Sequence, residues 1–182
     1  GMSAIPAGTF TMGGATGPAN ERPAHAVSVA AFCLDTTEVT AAAYAACVEA
    51  GKCNVPTTQR KDCNYKKPGQ EKHPINCVSA PEAEAYCKAQ GKRLPSEIEW
   101  EFAARGREGR KFPWGQEPDL SRACANRMKE GLCDVGSLST GATREGVLDL
   151  AGNVGEWTSS LFSPTGYGGT TQDYNNVVRG GT

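Results

Sequence analysis

Histidine is nearly absent from this chain: only His25 and His73 occur among 182 residues. Neither has a partner at ligand spacing, and no Cys-x-x-Cys pair occurs, so a structural zinc site has little to build on. An excess of charge is missing too, since 19 Lys and Arg face 20 Asp and Glu. That leaves no basic stripe for nucleic acid and no acidic run for a solvated tail. No stretch approaches the ~20 consecutive apolar residues that a membrane span needs. There is no Gly-x-Gly-x-x-Gly, no phosphate loop with lysine, and no Ser-His-Asp set arguable from spacing.

What the chain does have is cysteine, glycine and proline: 8, 22 and 11 respectively, against an apolar content of 38%. That balance suits a loop-rich domain, and the length suits one domain over residues 1–182. Gly1-Met2 reads as a tag remnant ahead of a trimmed start. An even cysteine count on such a chain points to disulfides and an oxidising, extracytoplasmic compartment, periplasmic or secreted. Cys124 and Cys133 flank a short polar loop and are the best single pair. Cys47, Cys53, Cys63 and Cys77 are expected to bridge among themselves in some order.

Local signals give three short helices and several brief strands, an α+β domain with much irregular structure. Ile5 to Met12 and Ala26 to Leu34 alternate as strands do. Thr40 caps a helix over Ala41 to Ala50, closed by Gly51. Ser79 caps a second, with Pro81 and Glu82 in its first turn and Gly91 as its stop. Ser96 and Glu99 form the capping box of a third, which ends at Gly106. Residues 52 to 76 read as a cysteine-pinned loop, and Phe112-Pro113-Trp114-Gly115 as a tight aromatic turn.

Five stretches then stand in a telling order. They are Ile5 to Gly13 (IPAGTFTMG), Asp35 to Thr40 (DTTEVT), Gly91 to Glu101 (GKRLPSEIEWE), Phe112 to Gly115 (FPWG) and Leu150 to Trp157 (LAGNVGEW), with Arg179-Gly180-Gly181 behind them. The ordered set resembles the formylglycine-generating (sulfatase-modifying factor) enzyme family over essentially the whole chain. The resemblance implies that family's fold, a loop-rich, C-type-lectin-related α+β domain. It also implies a copper-dependent oxidase that converts a sulfatase cysteine to formylglycine, with copper(I) on two thiolates, a soft donor pair suited to that ion.

Two departures set this chain apart from the catalytic members. The resemblance places the catalytic cysteines beyond Arg179-Gly180-Gly181, at positions after Thr182, and none of the eight cysteines present matches them. Thr182 itself matches an active-site hydroxyl position, and the chain is expected to lack a C-terminal segment. Gly155 stands where catalytic relatives carry an active-site tryptophan, and glycine offers no stacking surface.

The resemblance also implies a calcium site at Asp149, Gly152, Val154 and Glu156: two carboxylates plus two backbone carbonyls, all hard oxygen donors. Asn126 with the Arg127 carbonyl matches half of a second site. For the rest the expectations are structural. Asp35 and Glu38 should hydrogen-bond the turn before Thr40; Arg93 and Glu97 should form an ion pair; Trp100 and Trp157 should pack in the core; His25 and His73 should lie on loops. Function divides between a catalytically silent domain recognising a protein or glycan ligand and the copper oxidase. The silent domain would bind near Gly152 to Trp157 and Tyr167 to Tyr174.

Overall fold

The structure is a computed structural model that describes residues 1–16, 21–58, 60–125, 131–163 and 175–181. Thr182, Asn126, Arg127 and the Tyr167 to Tyr174 segment lie outside the described residues. Each of the two strands anticipated near the N-terminus is in fact two. β1 (Met2–Ile5) and β2 (Gly8–Met12) are separated at Pro6, which has no N–H to give a ladder. β3 (His25–Val29) and β4 (Phe32–Asp35) break at Ala30-Ala31. β1 pairs antiparallel with β4, placing Ile5 opposite Phe32, and β2 pairs with β3, placing Phe10 opposite Val27.

Three helices follow with the expected caps. α1 (Ala41–Glu49) starts where Thr40 Oγ1 accepts from the Ala43 N–H at 3.1 Å. α2 (Ala80–Ala89) starts where the Ser79 N–H donates to Glu82 Oε2 at 2.7 Å. α3 (Glu97–Arg105) has the full reciprocal box: the Glu99 N–H reaches Ser96 Oγ at 3.2 Å and the Ser96 N–H reaches Glu99 Oε2 at 2.8 Å. Such a box satisfies two helix-end donors that would otherwise be left without a partner.

α3 supplies the main core. Its Trp100, Phe102 and Ala103 pack with Ile5, Phe10, Met12, Val147 and Leu150, and the Phe10 and Phe102 rings lie 5.2 Å apart. A second cluster gathers Tyr44, Cys47 and Cys53, with Tyr86 of α2 stacked on Tyr44 at 5.6 Å. Around it the chain from 52 to 76 is pinned as anticipated. The bridges are Cys47–Cys53 and Cys63–Cys77, which settles the order within that group, and Cys124–Cys133 is also formed.

The C-terminal part departs from expectation. Residues from Gly152 onward, where the local signals gave no strand, form a long one, β5 (Gly152–Leu161), paired antiparallel with β6 (Asn176–Gly181). Gly152 faces Gly181 and Gly155 faces Gly180, so β5 carries a bulge between them. The turn into it has positive φ at Asp149 (60°), Gly152 (96°) and Asn153 (57°). Among the described residues, no helix is long and apolar enough to cross a membrane.

Candidate functional site

The β5 bulge is held by the Cys124–Cys133 loop. The Asn153 N–H donates to the Cys124 carbonyl at 2.8 Å, and Asn153 Oδ1 accepts from the Cys133 N–H at 3.1 Å. Gly152 has no room for a side chain, since an added Cβ would sit 2.6 Å from the Cys124 carbonyl oxygen. Glycine also tolerates its positive φ. From the other direction the Leu148 N–H donates to the Thr36 carbonyl at 2.8 Å, drawing the β4–α1 connection against this turn.

These ties bring three carboxylates together. Asp149 and Glu156, two of the anticipated site residues, share a charged neighbourhood with Glu38. Burial, then the charges of Asp149 and Glu156, push the Glu38 carboxyl up to about 9. Burial, then Asp149, raises Glu156 to about 7, with the Trp100 indole N–H pulling the other way. The contacts to this cluster are neutral: the Gly136 N–H donates to Asp149 Oδ2 at 2.5 Å, and Asn153 Nδ2 donates to Glu38 Oε2 at 3.3 Å. Glu38 Oε1 is buried with no hydrogen-bond partner.

Glu38 was read only as a turn residue: its carboxyl does meet its own backbone N–H, but it also faces Asp149 and Glu156. Thr37 Oγ1 donates to the Glu38 carbonyl at 3.2 Å, Thr40 caps α1, and Asp35 pairs with Lys92 Nζ at 2.6 Å. Two anticipated ligands are backbone positions at the head of β5: Gly152 is buried and Val154 is partly buried. The donor set is all hard oxygen, the type a hard divalent cation takes, but the three carboxylates do not all lie within 4.8 Å of one another, and Glu38 shares a hydrogen bond with Asp149. The other acidic and sulfur grouping, Asp62 with Cys63 and Cys77, has its sulfurs bonded to each other, and a disulfide is no thiolate ligand.

A cavity of about 480 Å³ opens beside the cluster, lined by Glu38, Val154, Gly155, Glu156 and Trp157 together with Tyr44 and Tyr86. Gly155 is exposed, and a Cβ there would meet the Val178 side chain at 2.7 Å. Trp157 borders this cavity and donates its indole N–H to the Val78 carbonyl at 2.9 Å, so it is less enclosed than a core tryptophan. Trp100 is buried as anticipated. Trp114 stacks on Phe112 at 5.2 Å, away from this cavity.

A second charged cluster lies close by. Glu101, with its side chain 5% exposed, accepts from the Gly13 N–H at 3.0 Å, from Arg105 Nη1 at 2.6 Å and from Arg179. Arg179 also reaches Glu97 at 3.6 Å and lies over the Trp100 ring. The anticipated Arg93–Glu97 pair is therefore absent. Arg93 makes a two-pronged contact with Glu99 at 2.6 and 2.7 Å, because the capping box already aims that carboxylate back at the residues before α3. His25 Nδ1 lies 3.0 Å from the Pro23 carbonyl, and His73 lies 3.5 Å from Asp134.

Comparison with known proteins places the chain. The family described as "Sulfatase-modifying factor enzyme 1-like domain" matches residues 1–182. The formylglycine-generating enzyme of Streptomyces coelicolor is 32% identical over 92% of this chain and 71% of its own length. The inactive C-alpha-formylglycine-generating enzyme 2 of Mus musculus is 38% identical over 51% of this chain, which spans 34% of that relative. Among solved structures, PvdO from Pseudomonas aeruginosa superposes with a TM-score of 0.72 at 28% identity, covering 90% of this chain and 71% of that one. The chain thus belongs to the sulfatase-modifying factor enzyme 1-like domain family and has its loop-rich α+β fold.

Proposed function

We propose that this chain is a calcium-stabilised, extracytoplasmic domain of the formylglycine-generating-enzyme type that is catalytically silent and recognises a protein or glycan ligand. The observation that carries the calcium reading is the convergence of Glu38, Asp149 and Glu156 with no cation beside them among the described residues. The carboxylates of Asp149, Glu156 and Glu38 and the carbonyls of Gly152 and Val154 would hold the ion. Calcium would supply the positive charge that lets Glu38 and Glu156 ionise in a partly buried place.

The silent reading rests on Gly155. It leaves the cavity without an aromatic wall at that position, and a bulkier residue would collide with Val178. No copper step is derived for this chain. The extracytoplasmic reading is supported by the three disulfides. The 480 Å³ cavity beside Glu156 and Trp157, with its tyrosines, suits a ligand that mixes apolar and hydroxyl groups.

The competing reading, a copper-dependent oxidase, is favoured by the similarity to the Streptomyces enzyme. One experiment separates them. The protein is loaded with copper(I) and calcium and given a sulfatase-derived cysteine peptide under oxygen, and the peptide mass is followed. A silent domain leaves the cysteine unchanged while glycan and peptide arrays register binding. Conversion to the aldehyde would establish the oxidase and refute the silent reading.

A further inference from the structure

A second cavity, of about 640 Å³, opens along α3 and the β5–β6 pair, and no residue that lines it also lines the cavity beside Glu156. Arg105, Arg110, Lys111 and Arg179 border it. Two of these cations are matched, since Arg105 and Arg179 share Glu101. The other two are not. Arg110 is only 8% exposed, yet its Nε has no hydrogen-bond partner. Its Nη2 reaches the Ala103 carbonyl at 3.3 Å and Glu145 at 3.5 Å, both long for a guanidinium. Lys111, the next residue, is exposed and makes no ion pair among the described residues. A buried guanidinium with a spare donor and a stretched counter-ion costs free energy that a closer anion would recover.

The rest of the lining sets the kind of anion. Leu161 at the end of β5, Phe162 just beyond it and Val178 of β6 border the same space, and Phe162 and Val178 are 39% and 48% exposed. The Phe162 N–H donates to the Asn175 carbonyl at 2.8 Å, which fixes one end of that apolar strip. Glu97 and Glu101 also line the cavity and repel a second negative charge. An organic monoanion with an apolar body meets both conditions, and a bare phosphate meets neither.

We propose that this cavity binds a small amphiphilic carboxylate, with the carboxylate against Arg110 and Lys111 and the apolar body along Leu161, Phe162 and Val178. A planar carboxylate matches the edge of a guanidinium, and the apolar body covers two side chains otherwise left in solvent. The inference stands apart from the calcium reading and from the ligand proposed for the first cavity, since the two linings share no residue.

The test is calorimetric titration of the whole chain with 4-phenylbutyrate and with octanoate, beside acetate, phosphate and the neutral 4-phenylbutanol. Saturable one-to-one binding of at least one of the two amphiphiles is expected, with each control at least about tenfold weaker. Lys111→Glu and Phe162→Ser alter exposed side chains, so each should leave thermal melting in place while weakening the amphiphile about threefold or more. No saturable binding of either amphiphile, equal affinity for phosphate, or full affinity in either variant would each overturn the proposal.

Discussion

Two charged clusters meet around Trp100, and they are solved in opposite ways. On one side Glu101 is surrounded by Arg105 and Arg179, and Glu97 completes the set with charges of both signs. On the other, Glu38, Asp149 and Glu156 gather with only neutral amide donors among the contacts that hold them. The first cluster carries its own counter-ions and acts as structure, joining α3 to β6 and to the Gly13 turn. The second has no counter-ion among the contacts that hold it, and the proposed calcium reading rests on that deficit. Burying like charges together raises their pKa values, and even in the balanced set burial pushes the Glu97 carboxyl up, with Arg179 pulling it back.

The sharpest break in the comparison comes from the balanced side. Glu101→Ala removes the shared anion and leaves Arg105 and Arg179 facing each other. A loss of about 3 kcal/mol is expected, read by urea unfolding, with calcium binding retained. If unfolding were unchanged, Glu101 would not be the anchor of that cluster.

The acidic side should answer to metal instead. Calcium at a hundredfold excess over its Kd should stabilise the chelator-stripped protein by about 2.7 kcal/mol, seen as a rise in melting temperature that EDTA reverses. Opening the loop that holds the β5 turn, by replacing both Cys124 and Cys133 with serine, should cost about 2 kcal/mol. The same double variant should also weaken calcium binding, because Asn153 and Gly152 lose their anchor at Cys124 and Cys133. The smallest expected effect is Glu38→Gln without metal. Because the Glu38 carboxyl is pushed up to about 9, it is already neutral without metal at pH 7, so the amide should change melting by less than about 1 kcal/mol while abolishing most of the calcium response. A variant that melts lower without metal yet still responds fully to calcium would remove Glu38 from the site.

The same contrast explains what was legible in the sequence. Thr40, Ser79 with Glu82, and Ser96 with Glu99 act within three residues of each other, so their spacing is enough to read them. The bridge between Cys124 and Cys133 was legible for the same reason. The ion pairs were not. Arg93 and Glu97 sit at a favourable spacing, but Arg93 precedes the helix, and Glu99 was already turned toward it by Ser96. Glu97 found Arg179, which only the β6 pairing brings near. Glu38 joined Asp149 and Glu156 through the Leu148–Thr36 hydrogen bond, a long-range contact that no local pattern announces. β5 was missed because Gly152 and Gly155 signal a turn, whereas here they allow a bulge and a close approach of Val178.

The most direct measurement is isothermal titration calorimetry of calcium into the chelator-stripped chain, with Glu38→Gln titrated beside it. Saturable binding of calcium by the unmutated protein, sharply weakened in the variant, is the outcome that an acidic cluster built for a cation requires. No binding heat, together with a melting temperature indifferent to calcium, would mean that Glu38 and Glu156 are held by protonation alone and that the site is not a calcium site.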